Sequence, residues 1–378
     1  MKKTILVALA ISLAIAAVLL AGSTGFFALS TAQSIKVAWI GPLSGIYASI
    51  GSSNMKGVEI AVDKINAEGG INGRNIELVV EDTQGDTKLF LNALQKLSAI
   101  DNINIILTSQ YTELFAAKGF AEKNNIVLVN AVDASNEIAA LSDNIFGIGI
   151  YDEGIGHSLA EFAAEKKGYK RIGIVFLNSE AFLILVKSAF KEKLESLGGK
   201  IGFEAAYGPN ENDFRTIIEK AKGSELDALL VLGYDETGFL LRQARELGFE
   251  KQFLGIDLFA SKQFLANAGG AAEGAIFTFW QPDSSKESRE FSRVFEEKFN
   301  EAPREILFAS TGFDAMSAVA FAMKNNGIST GSIKKGLLAI KDLKGLAGSL
   351  TMSPDGIVRT VKEEIFVMEA DNSFHPTG

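Results

Sequence analysis

Few residues of this chain have the types and spacing needed for catalysis. The string Gly327-Ile328-Ser329-Thr330-Gly331 has the spacing of a hydrolase nucleophile elbow, and the chain has two histidines, His157 and His375. Such an elbow requires a strand before the serine, a helix after it and a histidine base nearby. Here the string follows a predicted helix, and we interpret its glycines as a helix end and a loop. These patterns predict no catalytic residues and a protein that is not an enzyme.

Metal and cofactor sites are not predicted either. With no cysteine and two histidines, the chain lacks the ligands that a zinc site usually requires. No Walker motif occurs, and Gly147-Ile148-Gly149 is followed by Asp152 where the third glycine of a dinucleotide fingerprint would fall. The glycines of residues 69–73 join a helix to a strand, the wrong order for a phosphate site. We therefore expect no metal and no cofactor.

The first 34 residues have the pattern of a signal peptide. Lys2 and Lys3 precede an apolar run at 5–21, and small and polar residues follow as far as residue 34. Ser30-Thr31-Ala32 provides a small-x-small cleavage site before Gln33. Alternatively, residues 5–29 are a retained membrane anchor, because about 20 apolar residues span a bilayer. In both cases the chain from Ile35 onward is expected outside the cytoplasmic membrane, which it would contact only through this segment.

Composition narrows the class of protein further. Residues 19–23 look like a lipoprotein processing box with Ser23 in place of the acylated cysteine, so we predict that the protein is not a lipoprotein. The absence of cysteine also excludes disulfides. A net charge of −9 argues against a nucleic-acid partner, which would require a basic surface. Roughly 340 residues after the signal segment exceed what one core usually serves, which predicts two domains.

Strand and helix patterns alternate along the rest of the chain. Short apolar runs such as 103–107 and 126–130 are typical of strands buried on both faces of a parallel sheet. Strands are predicted at 35–40, 75–81, 103–107, 126–130, 171–177, 201–206, 227–232, 253–256, 275–279, 345–351 and 363–368. Helices are predicted at 51–67, 86–100, 112–123, 153–167, 181–197, 213–222, 236–247 and within 288–340. This alternation predicts an α/β protein with helices on both faces of its sheets.

Longer strings resemble a known family. Residues 35–51, IKVAWIGPLSGIYASIG, and 56–73, KGVEIAVDKINAEGGING, are similar to the opening of type I periplasmic binding proteins of the leucine/isoleucine/valine-binding group. The likeness continues at 231–234 (VLGY), 240–248 (LLRQARELG), 252–255 (QFLG) and 311–315 (TGFDA). It covers nearly the whole chain after the signal segment.

The resemblance implies a fold and a binding mode. The fold would be that of type I periplasmic binding proteins, with two doubly wound parallel-sheet lobes joined by three crossovers. Lobe one would comprise residues 35–150 and 281–351, and lobe two residues 151–280 and 352–378. A small-molecule ligand would bind between the lobes, beyond the carboxyl ends of the strands, and a hinge motion would close the lobes on it.

The resemblance also carries over part of a ligand site. Amino-acid binders of this family present serine and threonine hydroxyls and backbone amides of lobe one to the ligand carboxylate. Here those elements fall on Tyr111-Thr112-Glu113 and Val132-Asp133-Ala134-Ser135, so most of the hydroxyls are missing. In lobe two the family's tyrosine-glycine is replaced by Ala181-Phe182. The half of the site that would hold an ammonium group is therefore better preserved than the carboxylate half.

Eight residues are predicted to bind the ligand. Asp257 matches the acid that pairs with the ligand ammonium, Tyr234 the cleft tyrosine and Phe308 an apolar contact. Ordinary structural roles are open for the same residues: Tyr234 and Phe308 could pack in the core, Asp257 could cap a helix near Ala260, and Asp133 could cap a turn. The predicted set is Asp257, Tyr234, Thr112, Tyr111, Val132, Asp133, Ser135 and Phe308.

Two functions follow as hypotheses. The first is the solute-binding protein of an ABC importer, which captures an amino acid or similar small polar solute and delivers it to ABC permease subunits. The second is a membrane-tethered ligand sensor of the same fold. The chain has no kinase, cyclase or DNA-binding extension, which favours transport over sensing.

Overall fold

The computed structural model describes residues 33–45, 47–100, 102–282, 285–300, 306–361 and 363–377. The predicted signal segment and its cleavage site, at 1–32, lie outside this part of the chain. Residues 35–378 form one compact unit.

Sixteen strands are found within the described residues. They are β1 (Ile35–Gly41), β2 (Ile76–Asp82), β3 (Ile105–Thr108), β4 (Val127–Asn130), β5 (Asp133–Ala134), β6 (Ile145–Gly147), β7 (Ile150–Tyr151), β8 (Arg171–Leu177), β9 (Lys200–Tyr207), β10 (Ala228–Leu232), β11 (Gln252–Gly255), β12 (Ile276–Phe279), β13 (Leu343–Lys344), β14 (Ser349–Leu350), β15 (Glu364–Met368) and β16 (Phe374–Pro376).

Twelve α-helices accompany these strands in the described ranges. They are α1 (Ala48–Ala67), α2 (Thr87–Ala99), α3 (Thr112–Lys123), α4 (Asn136–Ala139), α5 (Asp152–Glu161), α6 (Ala181–Ser196), α7 (Arg215–Lys222), α8 (Thr237–Glu246), α9 (Lys262–Ala268), α10 (Lys286–Phe299), α11 (Ile306–Asn326) and α12 (Thr330–Leu338). A π-helical turn at Phe162–Lys166 extends α5, and a 3₁₀ turn at Asp257–Ala260 follows β11.

Two large sheets organise the fold. The first has the order β2-β1-β3-β4-β6, and all its strands are parallel. Every residue of β3 and β4 is buried, because helices cover both faces of the sheet. The second has the order β16-β15-β12-β11-β10-β8-β9, in which β15 and β16 form an antiparallel edge. We call the part built on the five-stranded sheet lobe one and the part built on the seven-stranded sheet lobe two.

The chain passes between the two sheets three times. The first passage follows β6, where β5 and β7 form a small parallel pair. The second follows β12, after which α11 returns to pack on α1 of lobe one. Added methyl groups at Gly57 and Gly312 would lie 1.9 and 2.2 Å from carbonyl oxygens of the facing helix, so glycine is required for this close crossing. The third precedes β15, after Ile357 has bridged to Gly147 of β6. This is the predicted fold.

Side-chain caps explain where several helices begin. The carboxylate of Asp86 accepts a hydrogen bond from Leu89 N at 2.9 Å and starts α2. Ser329 starts α12 in the same way, by accepting from Ser332 N at 3.2 Å. Gly327, with φ +97°, ends the preceding helix. The hydrolase-like string is thus a helix end followed by a helix cap; the helix end predicted at Gly327 is confirmed, whereas Gly331 lies in the first turn of α12 and not in a loop.

Some predicted elements differ from the structure. The strand predicted at 345–351 is wrong, because residues 345–348 form the turn of a short hairpin between β13 and β14. The short strands β5, β6, β7 and β16 and the helices α4 and α9 were not predicted. Among the described helices, α11 alone is long and apolar enough to cross a membrane, and most of it is buried inside the protein.

Candidate ligand-binding site

A cavity of about 290 Å³ lies beyond the carboxyl ends of strands from both sheets. Its walls come from segments that follow β1, β3 and β4 in lobe one and β8, β10 and β11 in lobe two. This is the position at which open α/β sheets bind ligands. Seven of the eight predicted residues line it: Asp257, Tyr234, Thr112, Tyr111, Val132, Asp133 and Phe308.

Ser135, the eighth predicted residue, does not line the cavity. It is fully buried, and its Oγ caps α4 by accepting a hydrogen bond from Ile138 N at 3.1 Å. The same Oγ lies 3.0 Å from the hydroxyl of Tyr111. Ser135 therefore supports the wall of the cavity through Tyr111, and it fills the capping role that was left open for Asp133.

Asn130 shapes the loop after β4. Its Oδ1 accepts hydrogen bonds from the backbone amides of Val132 at 2.8 Å and Asp133 at 2.9 Å. Its Nδ2 donates to Asp133 Oδ2 at 3.1 Å, which fixes the orientation of that carboxylate. The two amides that the sequence suggested for ligand binding thus donate within the protein. Their side chains remain part of the cavity wall.

A buried asparagine holds the lobe-one wall together. Asn54 of α1 accepts a hydrogen bond from Trp39 Nε1 at 2.9 Å. Its amide group donates to the carbonyl oxygens of Ala131 at 2.8 Å and Phe308 at 3.0 Å. The loop after β4 and the start of α11 are therefore fixed to the same helix, and this places Phe308 beside the cavity.

Four further acids line the cavity, and the sequence analysis missed them as ligand contacts: Glu113, Asp152, Glu180 and Glu363. Asp152 and Glu113 stand in the first turns of helices. Acids are common there because they interact favourably with the helix dipole, so the sequence did not distinguish these two as ligand contacts. Asp152 is fully buried, and neither of its carboxylate oxygens has a hydrogen-bond partner among the described residues.

Asp152 belongs to a group of acids at one end of the cavity. Burial raises the pKa of Asp152 well above its usual range, and the nearby charges of Asp133, Glu153, Glu363 and Glu137 raise it further. Burial raises the pKa of the half-buried Asp133 to about 7, although the hydrogen bond from Asn130 acts in the opposite direction.

Glu363 and Asp257 complete this group from lobe two. Burial raises the pKa of Glu363 well above its usual range, and the charge of Asp257 raises it further. We call the four cavity-lining residues Asp133, Asp152, Asp257 and Glu363 the first acidic group. Like charges gathered in a buried site disfavour ionisation unless a cation joins them.

A second acidic group, Glu113 and Glu180, lines another part of the cavity. Glu180 accepts a hydrogen bond from the hydroxyl of Tyr47 at 3.2 Å, and the nearby Tyr234 hydroxyl lowers its pKa. Glu113 is 7% exposed and accepts from Thr87 Oγ1 at 3.2 Å. Burial raises the pKa of both carboxylates.

The rest of the wall is mostly apolar. Tyr234 lies near members of both acidic groups. Burial raises its pKa most, and the charges of Glu180, Asp257 and Asp133 raise it further. No lysine, arginine or histidine occurs among the described residues that line the cavity. The apolar part consists of Pro42, Ile50, Val132, Ile150, Ile155, Ala181, Phe182, Leu258 and Phe308. Such a site suits a small ligand that is positively charged and partly aliphatic.

Relatives with known names share this sequence and fold. A Leu/Ile/Val-binding protein of Escherichia coli K12 is 30% identical over 268 residues, which cover 69% of this chain and 72% of that protein. A leucine-, isoleucine-, valine-, threonine- and alanine-binding protein of Pseudomonas aeruginosa is 25% identical over 303 residues, which cover 78% and 79%.

Solved structures agree with these relatives. The branched-chain amino acid transporter substrate binding protein of Streptococcus pneumoniae, in complex with isoleucine, superposes with a TM-score of 0.78. It is 25% identical, and the match covers 91% of this chain and 99% of that one. A leucine binding protein of Thermotoga maritima has the same fold, with a TM-score of 0.78, 22% identity, and coverage of 91% and 98%.

Residues 34–374 match the family model described as periplasmic binding protein. Members of this family bind solutes and are not enzymes, which confirms the non-enzymatic prediction. The chain therefore belongs to the periplasmic binding protein family and has the type I fold that its sequence predicted.

Proposed function

We propose that this protein is the extracytoplasmic solute-binding protein of an ABC importer, and that it captures an amino acid or similar small polar solute that carries an ammonium group. One observation carries the proposal: Asp257 and Tyr234 of lobe two line the same cavity as Asp133 and Thr112 of lobe one. A cation in this cavity would contact both lobes, so its binding would favour their closure. The names of the relatives support a role in amino-acid transport.

The lobes that close would be 35–150 with 281–351, and 151–280 with the C-terminal strands. The bridge between Gly147 and Ile357 attaches residues 353–358 to lobe one, so we place the third passage after Val358 rather than at residue 352. Small-angle scattering would test closure. The radius of gyration is expected to fall when ligand is added, and an unchanged value at saturation would contradict a hinge motion.

The partners proposed for the closed protein are ABC permease subunits, which it would contact at the outer face of the cytoplasmic membrane. The N-terminal segment would direct export, and the mature chain would begin near Gln33. Mass spectrometry of secreted protein tests this point. An intact Met1 end in the membrane fraction would favour an anchored form instead.

Calorimetric titration with a panel of amino acids and small amines would test the binding function. At least one solute with an ammonium group is expected to bind, and to raise the free energy of unfolding by about 2.7 kcal/mol at 100 times its dissociation constant. Acids of the same size without an amine serve as the control and are expected not to bind. Preferential binding of these acids would contradict the proposal.

A further inference from the structure

Two carboxylates of the cavity wall are buried without the hydrogen-bond partners that such groups normally have. Asp152 is fully buried and Glu363 is 7% exposed, and none of their four carboxylate oxygens is accessible to solvent. Neither Asp152 nor Glu363 has a hydrogen-bond partner for its carboxylate oxygens within the described residues, although the nearby Thr278 hydroxyl lowers the pKa of Glu363. Native proteins rarely bury such groups unpaired, so the pair points to a charged partner supplied by a ligand.

The first acidic group therefore forms one cation site. Asp133 and Asp152 approach it from lobe one and the segment after β7, while Asp257 and Glu363 approach it from lobe two. No group of three or more acids or histidines in the described residues is placed to hold a single metal ion, so these four carboxylates line the wall without converging on one point. An alkylammonium group, which needs hydrogen-bond acceptors in several directions, suits this arrangement.

The second acidic group provides another cation site. The half-buried carboxylate of Glu180 accepts a hydrogen bond from the Tyr47 hydroxyl at 3.2 Å, and the nearby Tyr234 hydroxyl lowers its pKa. Glu113 lies on the lobe-one side, and its charge acts on the same Tyr47. The same cavity is also lined by apolar residues, among them Ile50, Ile155 and Leu258, which suit the methylene chain of a ligand with a second ammonium group here.

Among the described lining residues, hydroxyl groups such as those of Ser109 and Thr112, but no basic side chain, are available to a ligand carboxylate. The N-terminus of α3 is the place where backbone amides would favour an anion. In this chain Glu113 stands in the first turn of that helix, where its carboxylate accepts a hydrogen bond from Thr87 Oγ1 at 3.2 Å. A leucine carboxylate would therefore meet a protein carboxylate, with no basic residue among the described lining residues to offset the repulsion.

We propose that the cavity is selective for a small aliphatic diamine, that is, a ligand with two cationic amino groups and no carboxylate. One ammonium group binds at the first acidic group, and the other binds at the second, beside Glu113 and Glu180. This inference rests on the proposed function and names the class of solute that is captured. The cavity volume of about 290 Å³ suits a molecule of this size.

Four matched ligands test the inference by calorimetry on the purified protein at pH 7.5. 1,5-Diaminopentane has both amines, lysine adds a carboxylate, 1-aminopentane lacks the second amine, and leucine has one amine and a carboxylate. Diaminopentane is expected to bind at least about tenfold more tightly than each of the others. 1-Aminopentane and leucine lack the second ammonium group, and lysine and leucine carry a carboxylate that the acids of the cavity would repel.

Two variants and a control locate the sites. Asp152→Asn and Glu180→Gln are each expected to weaken diaminopentane binding at least about tenfold. Glu180→Gln should also reduce the advantage of diaminopentane over 1-aminopentane. Asp213→Asn is the control, since Asp213 is an exposed acid that does not line the cavity, and asparagine can still accept the hydrogen bond from Arg215 N. Melting curves of all three variants verify that they fold.

Each outcome decides a separate point. Tighter binding of leucine or lysine than of diaminopentane would overturn the diamine inference and leave the amino-acid import function standing. Equal binding of 1-aminopentane and diaminopentane would overturn the second cation site. If none of the four ligands and no solute of the wider panel binds, both the inference and the proposed function fail.

Discussion

The hydroxyl of Tyr47 lies 3.2 Å from Oε1 of Glu180, and the two residues belong to opposite walls of the cavity. Tyr47 precedes α1 in lobe one, and Glu180 precedes α6 in lobe two. Burial and the neighbouring charge of Glu180 raise the pKa of Tyr47 to about 12, so its hydroxyl remains a donor at neutral pH. This bond joins lobe one to lobe two across the ligand cavity.

Tyr47→Phe is therefore expected to weaken ligand binding by loosening the closed state. A hydrogen bond to a charged acceptor contributes about 1.5–3 kcal/mol, and partial exposure of this pair to solvent places the expected loss at the lower end, about tenfold in affinity. Stopped-flow measurements should show the loss mainly as faster ligand dissociation. Tyr169→Phe is the control, because Tyr169 lies outside the cavity lining. Equal effects of the two substitutions would refute the role of Tyr47 in closure.

Asp257→Asn is expected to reduce affinity for an ammonium ligand by more than tenfold. Closing the cavity removes water from the ligand cation, and loss of one partner of such a pair costs about 2–5 kcal/mol. Asp257→Ala should be at least as harmful. Calorimetric titration measures both effects.

Asp213→Asn provides the matched control for Asp257. Asp213 is an exposed acid of lobe two outside the cavity, and asparagine can still accept the hydrogen bond from Arg215 N. Asp283→Ala, at a position that follows β12 in the sequence, is also expected to have little effect, and that residue lies outside the described residues. Unchanged affinity in Asp257→Asn would remove this acid from the site and indicate a ligand without an amine.

Asp314→Ala is expected to destabilise the fold rather than the ligand complex. The buried Asp314 carboxylate accepts hydrogen bonds from Leu346 N at 2.7 Å and Ala347 N at 2.8 Å. Trp280 Nε1 donates to the carbonyl of Ala347 at 3.0 Å and holds the same loop. Leaving two amides unpaired should lower the free energy of unfolding by about 2 kcal/mol or more. Urea denaturation measures the change, and an equal loss in Asp143→Ala, at an exposed acid, would contradict this role.

Sequence patterns predicted the fold because its strands and helices bury regular apolar faces. The runs that became β3, β4, β8 and β10 are buried along their whole or nearly whole length, which is why they could be recognised. The short pair β5 and β7 depends on how the first passage between the sheets is arranged. Two-residue strands have no periodicity of their own, so their pairing could not be predicted from local sequence.

The candidate site was predicted only where a residue matched the family. Asp257 and Tyr234 were found in this way, and both line the cavity. Asp152 and Glu363 were missed because an acid at a helix start or beside a strand is ordinary in sequence. Their significance comes from burial without sufficient partners, which depends on residues far away along the chain. Ser135 was predicted as a ligand contact, but its hydroxyl caps a short helix that the sequence did not reveal.

The last prediction is that affinity for 1,5-diaminopentane rises between pH 5.5 and pH 8. In the free protein burial raises the pKa of Asp133 to about 7, and burial also raises the pKa of Asp152 and Glu363 above the usual range. Asp133 is therefore mostly protonated at pH 6, and Asp152 and Glu363 keep their protons to a higher pH than ordinary carboxylates. The ligand amines, with pKa values near that of lysine at about 10, remain charged over the same interval.

Because cation binding favours the ionised carboxylates, the complex holds fewer protons than the free protein. Affinity must then increase with pH, by at most about tenfold per pH unit for each proton released, and level off above the free-state pKa values. The pH at which affinity rises depends on the acids that face Asp152, which are Asp133, Glu153, Glu363 and Glu137. Titrations in two buffers of different ionisation enthalpy should reveal proton release at pH 6.5. Affinity that is constant or falls over this range would show that the first acidic group does not receive the ligand cation.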